Sequence, residues 1–155
     1  MGGAGARLRA VLGVRSAGPR GPWPEEAPDA DALVRGFETR FGAPPAGVWH
    51  APGRLAVMGE HTVASGGAAL YTALPWGVTA AVGSAPDRGV RVATPNGPLR
   101  PREPAARAVA GAVAAARRAG ALGDDTGIRV VLGADLPEQA SLGYTAAVGA
   151  AVALA

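Results

Sequence analysis

The stretch from Ala51 to Leu70 constrains this chain more than any other. Pro52 and Gly53 are expected to break a strand, and Leu55 to Met58 form a short apolar run suited to a buried strand. Gly59 then frees the backbone, and Glu60, His61 and Thr62 follow at once. Arg54 stands at the near end of the same run. A cation at one end of an apolar strand and a Glu-His pair at the other is an unusual arrangement. Charged groups are rarely buried without partners, so the pattern marks a place where polar chemistry is held on a strand end.

At 155 residues the chain is long enough for one domain with a real core. It contains no Cys, which excludes disulfides and thiolate metal sites. All 15 basic residues are Arg, scattered among acids, and the net charge is only +3. No basic stripe with interleaved aromatics is present, so a nucleic-acid partner is not expected. The longest apolar run, residues 146–155, is half of the roughly 20 residues a membrane span needs. Arg7, Arg9 and Arg15 precede no continuous apolar segment, so a secretory signal is not expected either. These features point to a cytoplasmic protein.

Residues 1–29 are rich in Gly, Pro and Ala without a period and read as a flexible leader, leaving residues 30–155 as the domain. Asp31 to Phe41 reads as an amphipathic helix capped by Asp29 or Asp31, with Leu33, Val34, Phe37 and Phe41 on one face. Gly42 ends it. Val48 to His50 begin the first strand, where His50 reads as an ordinary edge residue. Pro75 is expected to split residues 68–84 into two extended pieces. Asp87-Arg88-Gly89 is expected to be a hairpin turn into the strand Val90 to Thr94. Pro104 to Ala119 has the apolar stripe of a helix, with Arg117 and Arg118 at its end as solvated cations that favour the dipole. Ile128 to Leu132 reads as a short buried strand, and Ser141 to Ala155 as a helix apolar nearly all round. A helix of that kind is normally enclosed, so self-association through residues 141–155 is expected.

The stretch described first resembles the N-terminal signature of galactokinases, members of the GHMP family of small-molecule kinases. The matching residues are Ala51, Pro52, Gly53, Arg54, Gly59, Glu60, His61, Thr62, Gly66 and Gly67. The family's Asn is here Ala56, its sugar-binding Asp is Val63, and its Tyr-Asn pair is Ala64-Ser65. Mevalonate and phosphomevalonate kinases carry a related Gly-Glu-His segment followed by an apolar residue, so a mevalonate-kinase-like member stays open. The resemblance implies an α+β fold: the ribosomal-S5-like N-terminal domain of a GHMP kinase, truncated, with a mixed sheet and helices on one side.

It further implies ATP-dependent phosphorylation of galactose to galactose 1-phosphate, with ATP and Mg²⁺ as cofactors. Arg54 would stabilise charge on the transferring phosphoryl group. Glu60, His61, Thr62 and the Val63 position would contact the sugar. The family's phosphate loop aligns with residues 137–147, so Pro137, Ser141, Leu142, Gly143, Tyr144, Thr145 and Ala146 would line the nucleotide, and the Thr145 hydroxyl would face the metal. That loop departs from the family. Gln139 and Ser141 replace two glycines, Tyr144 replaces a small hydroxyl residue, and Glu138 adds a charge that repels phosphate. The family's downstream catalytic Asp and C-terminal Gly-rich motif have no counterpart in these residues, and ATP is not expected to bind tightly. A chain inactive by itself is therefore expected. The competing reading is a non-catalytic galactokinase-like remnant, or a sugar-sensing or protein-interaction module.

Overall fold

A computed structural model describes residues 28–136 and 141–155, so the expected leader lies outside the described residues except for Pro28 and Asp29. Asp29 has a defined task. Its carboxylate accepts from the Asp31 backbone N–H at 3.0 Å and caps helix α1, Ala30–Phe41. Gly42 ends the helix in the left-handed region, φ 74°.

Strand β1 spans Gly47–Met58, β2 Leu70–Ala85, β3 Val90–Thr94, β4 Gly97–Pro98 and β5 Gly127–Ala134. A 3-10 helix, Glu60–Ser65, joins β1 to β2. Helix α2, Pro104–Arg118, lies between β4 and β5 in the chain, and α3, Tyr144–Ala153, follows β5. The sheet order is β1-β2-β5-β3-β4, with β3 and β5 parallel and the other pairs antiparallel. This is the expected α+β fold with a mixed sheet.

The helices, however, lie on both sides of that sheet. Successive side chains on a strand point to opposite faces. Ala80, Val82, Val130 and Leu132 pack with Ala105, Val109, Val113, Val148 and Ala151 of α2 and α3. The alternate residues Ala81 and Val131, with Ala93, pack against Leu33 and Phe37 of α1. Both faces of β2 and β5 are apolar, so a second layer of helix is needed to cover them. Burying Leu33 and Phe37 contributes about 1.5–3 kcal/mol each.

The same two-sided character corrects the expected hairpin at residues 87–89. β5 is buried from Gly127 to Leu132 and takes a central place between β2 and β3. It starts directly beneath the 87–89 turn: Ile128 donates its N–H to the Gly89 carbonyl at 3.0 Å. Arg129, only 6% exposed, pairs there with Asp87, which also pairs with Arg91 at 3.5 Å. Arg117 is likewise more than a solvated helix end. It donates to the Thr126 carbonyl at 2.7 Å and the Arg88 carbonyl at 3.3 Å, tying the end of α2 to both neighbouring loops.

Three strand expectations are corrected at the other edge. Pro52-Gly53 does not break β1, which runs on through a register shift between Pro52 and Arg54. Pro75 does not split β2, which is continuous over 16 residues; it lies opposite that irregularity, where proline is tolerated. Nor is Leu55–Met58 a buried strand. β2 pairs with β5 only from Val78 onward. Residues 54–58 and 70–77 therefore form a two-stranded ribbon beyond the body of the sheet, and Leu55, Val57 and Met58 are 45%, 55% and 65% exposed.

Helix α3 starts at Tyr144 rather than Ser141. One side is buried through Tyr144, Ala147, Val148, Ala151 and Val152. The exposed side carries Ala146, Ala150 and Ala153, followed by Leu154, so less apolar area is bare than an all-round apolar helix would leave. No helix among the described residues is long and apolar enough to cross a membrane.

Candidate functional site

The ribbon carries the signature loop at its tip, and the loop is held by its own glycines and one hydroxyl. Gly59 takes φ 78°, and a Cβ there would lie 2.2 Å from the Ala68 carbonyl oxygen. Only glycine combines that backbone conformation with so close an approach. The Thr62 hydroxyl donates to the Gly59 carbonyl at 2.8 Å and lies 3.3 Å from the Ala68 carbonyl, closing both sides of the loop. Gly67 donates its N–H to the Thr62 carbonyl at 2.9 Å. Thr62 thus serves the loop's shape. The side chains of Glu60, His61 and Val63 are exposed, and Glu60 and His61 make no side-chain hydrogen bond or ion pair with any described residue. The turn thus satisfies backbone groups within itself and leaves a carboxylate, an imidazole and a valine exposed.

Arg54 sits on β1 just behind this loop. It does not pair with Glu60. Its guanidinium lies over the Tyr71 ring, 4.4 Å from the centroid. The ladder pairs Arg54 with Ala73, so Tyr71 is its diagonal neighbour on the same face of the ribbon. Such a contact is worth about 0.5–1 kcal/mol when exposed, and it fixes the direction of the long side chain. Tyr71 has no mark in the sequence; only the register brings it to Arg54.

The segment expected to be a phosphate loop meets the signature directly. Arg54 donates its backbone N–H to the Leu142 carbonyl at 2.9 Å. A Cβ on Gly53 would lie 2.8 Å from both methyl carbons of Leu136 and 2.9 Å from the Leu142 carbonyl, so the bulge glycine is what lets the two segments touch. A Cβ on Gly143 would lie 2.7 Å from Arg54 Cγ. Arg54 therefore stands between the exposed Glu60–Val63 loop and the N-terminus of α3.

Of the expected nucleotide residues, Pro137 lies outside the described residues, as do Glu138, Gln139 and Ala140. Ser141 takes φ 54°, the left-handed conformation that suits the glycine it replaces. Holding a residue with a Cβ there costs of order 1–2 kcal/mol. Gly143 is also left-handed, φ 77°, and precedes α3 without a side-chain cap. The first turn of a helix has backbone N–H groups without intrahelical partners, which is the donor set a phosphate uses. Thr145 and Ala146 are exposed on that turn. Tyr144 is 6% exposed and packed in the main core, so its ring does not cover the turn. Among the described residues no group of three His, Cys, Asp or Glu could hold a metal ion.

Behind the bulge lies a small buried polar cluster. The Asp135 carboxylate accepts from the Gly77 N–H at 2.7 Å and fastens the end of β5 to β2. His50 Nδ1 is 3.0 Å from the Thr79 hydroxyl. Burial holds the imidazole below its ordinary pKa, partly offset by the nearby Asp135 charge. His50 thus links β1 to β2 through its side chain.

Comparison with known proteins bears on the same residues. A galactokinase galactose-binding signature matches residues 35–84. No curated protein matches the chain significantly in sequence. Among solved structures, Lactococcus lactis galactokinase complexed with galactose superposes with TM-score 0.63 at 23% identity, over 79% of this chain and 35% of that one. Methanococcus jannaschii mevalonate kinase superposes with TM-score 0.52 at 14% identity, over 68% and 38%. The Lin0012 protein from Listeria innocua gives 0.50 at 25% identity, over 68% and 34%. The chain spans little more than a third of the length of these structures. It carries the galactokinase galactose-binding signature on the fold of the N-terminal part of GHMP kinases.

Proposed function

We propose that this chain is the sugar-recognition part of a galactokinase-type protein and that it binds galactose or a close relative at the tip of the β1–β2 ribbon. The observation that carries this reading is the presentation of Glu60 and His61, outward and uncommitted, on a loop whose shape is fixed by Gly59, Thr62 and Gly67. Glu60 would accept hydrogen bonds from sugar hydroxyls, and His61 would donate or accept. Arg54, stacked on Tyr71 beside Gly143, would face the phosphoryl group of a nucleotide held on the first turn of α3. ATP supplies the phosphoryl group in such kinases.

Phosphoryl transfer by this chain alone is not part of the proposal. Asp135 is buried and committed to Gly77, and Asp125 pairs with Arg88 at 3.3 Å in the loop before β5. Neither is placed to take a proton from a sugar bound at Glu60. The test is a calorimetric titration with galactose. Saturable heat that is lost in the double variant E60Q/H61A supports the proposal, and a flat titration of the folded wild-type chain overturns it. One observation favours a second substrate class. Val63, 49% exposed, puts an apolar side chain where the galactokinase pattern has a sugar-binding Asp. Mevalonate in the same titration separates the two, because tighter binding of mevalonate than galactose would move the assignment.

A further inference from the structure

At the sheet edge opposite the signature loop, β4 is only two residues long. It pairs with Ala93 and Thr94 of β3, and the Leu99 N–H still reaches the Val92 carbonyl at 2.9 Å. Beyond that point the chain turns away at Pro101, and the Val90–Arg91 end of β3, paired with β5 on its inner side, has no strand on its outer edge. The space left there is a cleft of about 490 Å³, within the range of small-molecule sites. It runs round the open edge of the sheet, with Phe41 from α1 on one face and Val92, Leu99 and Ala106 from the α2 side on the other. Phe41 is held in place edge-on to Phe37, with ring centroids 4.8 Å apart.

The charged residues among the described residues that line the cleft are Arg40 and Arg91, with no acid among them. Arg40 makes no ion pair with a described residue. Arg91 shares Asp87 with the buried Arg129, so two guanidinium groups divide one carboxylate and the mouth stays net positive. Apolar lining with two guanidinium groups and no acid among the described lining residues matches one chemical class: a small molecule with an apolar body and a single carboxylate. We propose that this cleft binds such a molecule, an aryl or medium-chain carboxylate, independently of any sugar at the ribbon. The two sites are separated by the width of the sheet, four strand spacings of about 4.8 Å each. The apolar body lies against Phe41, Val92 and Leu99, and the carboxylate lies between Arg40 and Arg91.

The test uses the full chain labelled with nitrogen-15, titrated with octanoate and with its uncharged analogue octanamide while amide resonances are followed. Octanoate is expected to shift Phe41, Val90 to Ala93 and Leu99 saturably, and to bind at least about tenfold more tightly than octanamide, the worth of one charge-assisted contact. The exposed-residue variant R40Q/R91Q is expected to lower octanoate affinity to that of octanamide and leave octanamide unchanged. Equal binding of the two by the wild type overturns the assignment. So does the absence of saturable shifts, or shifts confined to Leu55–Met58. A thermal melt of the variant shows that a loss is not unfolding.

Discussion

Three glycines of the signature loop separate two physical reasons for using glycine, and their alanine variants are predicted to differ accordingly. Gly66 has φ 80° but open space where a Cβ would go. Gly66→Ala carries only the left-handed strain, about 1–2 kcal/mol. Gly59 has φ 78° and also an Ala68 carbonyl oxygen 2.2 Å from the added Cβ. Gly59→Ala must take the same strain and push the Ala68 backbone away, which opens the Thr62 hydroxyl contacts to Gly59 and Ala68. At about 0.5–1.5 kcal/mol per lost hydrogen bond, the local cost is roughly 2–5 kcal/mol. Gly67 lies outside the left-handed region, and its added Cβ would meet the Thr62 hydroxyl at 2.6 Å.

The assay is native-state hydrogen exchange at the Thr62, Gly66 and Gly67 amides, which donate to Gly59, Val63 and Thr62 within the loop. Each 1.4 kcal/mol is a factor of ten, so Gly66→Ala should speed their exchange roughly 5- to 30-fold and Gly59→Ala roughly 30- to 4,000-fold. The global melt should move little, because the loop is exposed and carries no core residue. Equal effects of Gly59→Ala and Gly66→Ala would refute the packing of Ala68 on Gly59, and with it the reason given for the loop's shape.

Phe37→Ala is expected to destabilise the domain by about 3–5 kcal/mol in chemical denaturation, since Phe37 is the largest buried side chain under α1. Gly83→Ala is expected to destabilise it as well, because the new Cβ would lie 2.8 Å from the Phe37 ring, and Phe37→Leu should relieve that cost. His50 has a folded-state pKa below its unfolded value of about 6.5, so the unfolded chain binds the extra proton first. Stability should therefore fall as pH drops through 6.5 towards the folded pKa, and a His50→Gln variant should show a flatter melting profile there. Asp87 has its pKa lowered chiefly by the Arg129 hydrogen bond. Its stabilisation is present above the ordinary carboxylate value and lost as pH falls through the folded pKa, so wild type and Asp87→Asn should converge in acid melts and separate above about pH 5.

Most of the elements were legible in the sequence because each carries a local cause. The Asp29 cap, the Leu33–Phe37 spacing and the Gly42 stop define α1; Ile128, Val130, Val131 and Leu132 define the centre of β5. What was not legible depends on which strand lies beside which. Asp87-Arg88-Gly89 has turn chemistry, but nothing local tells that β5, some 40 residues later, will enter between the strands it joins. Leu55–Met58 has the composition of a core strand, yet it extends past the end of the β2–β5 pairing and stays exposed. At the site, Glu60 and His61 announce themselves by being charged groups after an apolar strand. Tyr71 and Leu142 do not, since one acts through a diagonal register contact and the other through a backbone carbonyl. Ser141 looks like the loss of a glycine, but the backbone keeps the left-handed conformation and absorbs the strain.

The central claim is that the ribbon tip recognises a sugar, and amide chemical-shift mapping with galactose tests it most directly. Saturable shifts centred on Glu60–Val63, extending to Arg54 and absent in Glu60→Gln, are the predicted result. A folded chain that shows no saturable shift with galactose, or shifts that leave Glu60–Val63 unmoved, would contradict it.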